Sequence, residues 1–215
     1  VAPRMDHDIS YRPSFAQVTL SLSAGEAVRA EAGAMVSHDD GIAIDTGTSG
    51  GLVDSLKRSV LGDESFFQNT FTAERAGEVT LAPPLPGDVV AHDLDGRLLV
   101  QSGSFLAADV DVGLDTRFGG GRTFFGGEGL FLLELNGTGP VYLSSYGAVD
   151  EHELDAGERF VVDTGHIVAF DGGTTFDVDR VGGLRSTLFS GEGLVCTFEG
   201  PGTVWTQSRS TDAFL

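Results

Sequence analysis

Apolar residues along the chain fall in short runs, not in long periodic stretches. Phe15-Ala-Gln-Val-Thr-Leu-Ser-Leu22, Arg97-Leu-Leu-Val-Gln101 and Arg159-Phe-Val-Val-Asp163 are of strand length and favour β-branched or aromatic side chains. The 31 glycines stand between such runs as turn punctuation. Helical spacing occurs convincingly only in Leu52-Val-Asp-Ser-Leu-Lys-Arg-Ser-Val-Leu61. Apolar residues there sit at 52, 53, 56, 60 and 61, and Gly62 supplies a stop. One short helix over 52–61 among many strands predicts an all-β fold.

The runs recur. Glu64, Glu128 and Glu192 lie 64 residues apart, each with an arginine upstream: Arg58, Arg122 and Arg185. Glycine clusters at 50–51, 119–121 and 182–183 precede them. Earlier still, Ala27–Val36, Arg97–Leu106 and Arg159–Val168 align as strand–turn–strand pieces. Gly33, Gly103 and Gly165 fall at their centres, where a tight turn calls for positive φ. Gly77–Leu81, Gly139–Leu143 and Gly202–Thr206 align downstream. The expectation is one domain over 10–210, made of three β units at about 10–85, 86–148 and 149–210 and packed with pseudo-threefold symmetry. A single unit of that size is marginal alone, so the three are expected to share a core. Val1–Arg4 precede the first methionine, Met5, and read as a cloning remnant.

Charge narrows the environment. Of 215 residues, 32 are Asp or Glu and 13 Lys or Arg, for a net charge of −19, and Lys57 is the sole lysine. The acids are spread along the chain, as on a solvated surface. Such a surface repels itself in dilute salt and is screened in molar salt, where the Debye length falls to roughly 3 Å. A salt-rich cytoplasm is therefore expected. The same charge opposes nucleic-acid binding, which needs cationic contacts to phosphate. One cysteine, Cys196, excludes a disulfide framework and a cysteine zinc site. No apolar run reaches the ~18 residues of a membrane span, and no signal-peptide pattern opens the chain.

Three segments carry a resemblance. Gly51–Phe71, Gly126–Gly139 and Gly200–Arg209 resemble the signatures of the mitochondrial-biogenesis family named for altered inheritance of mitochondria, and the similarity runs from about Ser10 to Ser210. The resemblance implies tandem β-sandwich or barrel units like the tryptophan-RNA-attenuator protein, and assembly into rings as a homotrimer. It implies no catalytic residues. A mitochondrial relative's link to inner-membrane organisation suggests a protein partner at a membrane. The acidity and scarcity of lysine suit a haloarchaeal member.

Candidate chemistry is sparse. The sets Arg58/Glu64, Arg122/Glu128 and Arg185/Glu192 could ring an ion or polar ligand. A charge-assisted pair that pins a glycine-rich turn explains three copies better. The Gly119–Gly121 run lacks a P-loop pattern and reads as a turn. His7, His38, His92, His152 and His166 follow no chelating spacing. His38-Asp39-Asp40 and Glu151-His152-Glu153 alternate across strand faces, so neither tripeptide makes a chelate by itself. Cys196, aligned with Gln68 and Leu132, reads as a packing residue. The doublets Phe66-Phe67, Phe124-Phe125 and Leu188-Phe189 place one side chain on each strand face, in a core or at an interface. No catalytic, cofactor or metal residue is assigned. The expected function is a non-enzymatic, cytoplasmic, self-assembling β scaffold or interaction module, with a small-ligand site between repeats or subunits as the alternative.

Overall fold

Where apolar and polar residues alternate, as in Gln17–Leu22, the apolar ones bury one face of a strand and the polar ones between them point away from the core. The computed structural model describes residues 5–46, 60–61, 64–65, 68–115, 131–180 and 194–211. The fold is all-β. The first third holds β1 (Asp6–Ser10), β2 (Gln17–Leu22), β3 (Ala27–Glu31), β4 (Met35–His38), β5 (Ile42–Asp45), β6 (Val60–Leu61), β7 (Glu64–Ser65), β8 (Gln68–Ala73) and β9 (Gly77–Leu81). The middle third holds β10 (Val89–Gln101), β11 (Phe105–Asp109), β12 (Gly113–Asp115) and β13 (Leu132–Ser144). The last third holds β14 (Val149–Leu154), β15 (Arg159–Asp163), β16 (Ile167–Asp171), β17 (Thr175–Arg180), β18 (Leu194–Glu199) and β19 (Gly202–Gln207).

The pairing scheme is the same in each third. In the first, β9 lies between β2 and β4, and β8 between β3 and β5. In the middle, the long strand β13 takes both central places, paired along its length with β10 and flanked by β11 and β12. In the last, β19 lies between β14 and β16, and β18 between β15 and β17. Register agrees residue for residue. Met35 opposes Leu81, Phe105 opposes Leu143 and Ile167 opposes Thr206, and each pair is followed by a bulge. Beyond the bulge Ser37, Ala107 and Ala169 oppose Thr80, Tyr142 and Trp205.

The bulge has a packing consequence. It turns two consecutive side chains to one face, which strict alternation forbids. Phe105 and Ala108 enter the second hydrophobic core, while Leu106 and Ala107 between them enter the first. Likewise Ile167 and Phe170 enter the third core, while Val168 and Ala169 enter the second. The thirds are thereby stitched at two junctions. β11 pairs with β3 through Ala107–Ala30, Ala108–Arg29 and Asp109–Val28. β16 pairs with β10 through Ala169–Val100, Phe170–Leu99 and Asp171–Leu98. An arginine crosses each junction, Arg29 donating to the Val110 carbonyl at 2.8 Å and Arg97 to that of Gly172 at 3.3 Å. The remaining counterparts, β4 and β15, are each the edge strand of a smaller sheet.

Three sequence expectations are corrected. Most of the helix expected over 52–61 lies outside the described residues, but its last two residues form β6, paired antiparallel with β7. Gly33 has φ +91°, as expected, but Gly103 and Gly165 sit in single 3-10 turns and are not among the glycines of positive φ. At Gly165 the requirement is room: a Cβ there would meet the Ser210 hydroxyl. Cys196 opposes Val162, whereas Gln68 and Leu132 oppose Glu31 and Gln101, so their counterpart is Val195. The equal spacing of the glutamates misplaces that strand by one residue.

Candidate functional site

The ends of several strands gather around a cavity of about 200 Å³. β3 contributes Glu31, and β10 with its following turn contributes Gln101 and Ser104. The chain leaving β13 contributes Ser145 and Tyr146, and β19 ends in it at Gln207. Pro83, Pro84 and Leu85 form an apolar wall. Gln207 ties the rim together. Its Nε2 donates to the Gly165 carbonyl at 3.0 Å, and its Oε1 accepts from the Tyr146 N–H at 2.9 Å. The backbone carbonyl of Gln207 meets His166 Nδ1 at 2.7 Å. Across the ladder from Glu31 stands Gln68, whose buried Nε2 has no hydrogen-bond partner among the described residues.

Glu31 is the group the cavity perturbs. Burial pushes its carboxyl from an ordinary 4.5 up to about 7, because desolvation disfavours the ionised form. The fold therefore gains stability from Glu31 in the protonated state. That contribution is complete below about 4.5 and disappears as pH rises through about 7. Glu31→Gln is expected to flatten this part of the profile. With allowance for partial exposure, it raises stability at pH 8 by on the order of 1–2 kcal/mol. Urea titrations of both proteins at pH 5 and pH 8 check this, and parallel profiles would contradict it.

The sequence-derived polar pairs are not brought to this cavity. Arg58, Arg122, Glu128, Arg185 and Glu192 lie outside the described residues, as do Phe66-Phe67, Phe124-Phe125, Leu188-Phe189 and Gly119–Gly121, and Glu64 is placed only by its backbone in β7. The histidines are dispersed. His7 packs edge-on against Tyr142 and His92 against Trp205, while His152 lies tilted against Phe160. Burial lowers the pKa of His92, and the Trp205 indole donates to Glu151 at 3.1 Å. No group of three His, Cys, Asp or Glu side chains among the described residues could hold a metal ion. Cys196 is buried, and desolvation pushes its thiol up to about 12, the opposite of an activated nucleophile.

One recurring polar position escaped the sequence reading. Asp39 and Asp171 each accept a backbone N–H from the strand that follows the hairpin, from Glu78 at 3.0 Å and from Thr203 at 2.8 Å. The middle counterpart of these donors is Pro140, which has no N–H, and Asp109 turns instead to the N–H of Asp111 at 2.8 Å. The alignment already placed these aspartates together, three residues beyond Val36, Leu106 and Val168.

Comparison with known proteins gives concordant matches. The family described as Mitochondrial biogenesis AIM24 matches residues 7–209. An uncharacterized protein of Streptococcus pyogenes serotype M6 is 30% identical over 220 residues, covering 98% of this chain and 88% of that protein. A crystal structure of a Streptococcus pyogenes protein superimposes with a TM-score of 0.81 at 29% identity, covering 98% of this chain and 96% of that one. Among the described residues, no helix is long and apolar enough to cross a membrane.

Proposed function

Because the chain belongs to the AIM24 mitochondrial-biogenesis family, we propose that it is a non-enzymatic, self-assembling β scaffold or interaction module. Three copies of one attenuator-like unit build it, and rings of three chains are its assembled form. The observation that carries this reading is the threefold recurrence of one strand register with its bulge. A fold that spends its recurring positions on joining copy to copy is organised for assembly, and among the described residues no group of three His, Cys, Asp or Glu side chains could hold a metal ion. With a charge of −19 on each chain, the assembly belongs to a salt-rich cytoplasm.

Light scattering at low and molar KCl tests both parts. The expected particle contains three 22.5 kDa chains in molar KCl, with a melting temperature that climbs steeply with salt. A monomer at every salt concentration would remove the scaffold reading, and a salt-independent melting temperature would remove the halophilic one. A second reading, a small-ligand site, is favoured by the cavity, which draws Glu31, Gln101 and Gln207 from all three thirds. A small molecule retained in native mass spectra of wild type and lost from Glu31→Gln would support it.

A further inference from the structure

We propose that β4 of one chain pairs with β15 of a second copy in the register already used at the two internal junctions, so that chains join head to tail. The inference rests on the three-copy reading above and deepens it by naming the surface.

The two junctions define what the third must look like. Ala107 and Ala169 oppose Ala30 and Val100, so their counterpart Ser37 should oppose Val162, followed by His38–Val161 and Asp39–Phe160. Among the described residues, both strands that would make these pairs are edges. Both also expose side chains that their counterparts bury. Leu106 and Val168 are buried, while Val36 at the same position is 55% exposed; Leu99 is buried, while Val161 is 59% exposed. All of β4 is exposed, although it carries the same bulge.

The cores give the same answer. The middle third caps the first core with Leu106, Ala107 and Tyr142, and the last third caps the second core with Val168, Ala169 and Trp205. The third core takes Leu99 and Leu132 from the middle third and, among the described residues, nothing from the first. Val36 and Ser37 are the pair that the bulge aims at such a core. Charge fits as well. Arg97 donates to the carbonyl of Gly172, and in the same register its counterpart Arg159 would meet Asp40, beside Asp39 and already paired with Arg75 in its own chain, whereas the place of Arg29, which donates to Val110, falls to Val161. One chain presents both halves of the joint at different edges, so the contact is heterologous and closes into a ring or propagates.

Two sets of variants at exposed positions test this in molar KCl. Wild type should assemble, while Val36→Asp and Val161→Asp should each be monomeric by light scattering. Mixed one to one, the two variants should form dimers only, because one intact edge of each kind remains. His38→Cys mixed with Val161→Cys should form an intermolecular disulfide, opposite residues on paired strands being within bridging reach; buried Cys196 does not compete. If a chain carrying both cysteines cross-links within itself at high dilution, the second copy is wrong and the three-copy register survives. If wild type and both edge variants assemble alike without cross-links, this joint is wrong and self-assembly stands. A monomeric wild type without any cross-link overturns both.

Discussion

Phe105→Ala is expected to destabilise the protein by about 3–5 kcal/mol, while Met35→Ala costs less than about 1 kcal/mol. The two residues hold the same place, first in the strand and just before the bulge. Phe105 is fully buried in the second core against residues of β10, β13 and β16, so its removal loses the transfer energy of a ring and leaves a void that these strands cannot refill. Met35 is 42% exposed, with β4 open on its outer side. Ile167, the third counterpart, is buried and should lose about 2–4 kcal/mol as alanine. Urea midpoints should be compared on the Val161→Asp background, so that no second copy covers β4. Equal losses at 35 and 105 would mean that β4 is covered within its own chain.

That comparison marks how far the sequence could be read. The pairs Met35-Val36, Phe105-Leu106 and Ile167-Val168 are equally apolar, and each stands at a bulge in its ladder. Whether each is buried depends on which third lies against it, and no local pattern encodes that. Fold class was legible because alternation and glycine punctuation are local signals. The lengths of β10 and β13 were not: the Arg97–Gln101 run is only the end of a strand that continues through Gly96 at φ +121°, where Asp95-Gly96 resembles a turn. The cavity was illegible for a different reason. Glu31 and Gln101 hold the same place in their aligned pieces, but no pattern joins them to Gln207, and the three meet because three strands end at one place. The repeated Arg–Glu sets have regular spacing, but apart from the backbone of Glu64 in β7 they lie outside the described residues.

Gly87→Ala should be among the most damaging single-methyl additions, costing about 3–5 kcal/mol and lowering the melting temperature by roughly 10 °C. Gly87 lies between β9 and β10 and forms a parallel bridge with Gly147, between β13 and β14. A Cβ there would overlap the backbone oxygen of Ser145 and lie 3.1 Å from the nitrogen of Gly147. Backbone cannot swing aside as a long side chain can, so the two connections must separate. Separation breaks a dense set of bonds: Gly147 N–H to Pro86 O at 2.9 Å, Asp88 N–H to Gly147 O at 3.1 Å and Ser145 N–H to Asp88 O at 3.1 Å. It also disturbs Asp88, a buried carboxylate held by Arg12 through two bonds of 2.8 and 2.9 Å that tie down the segment between β1 and β2. An unpaired buried carboxylate is costly, so the loss exceeds that of the bridge alone. Gly173→Ala is the matched control, since a Cβ there has no neighbour within 4 Å, and it should stay within about 0.5 kcal/mol of wild type. Similar denaturation midpoints for the two variants would show that the contact between the connections is not what holds the thirds in register.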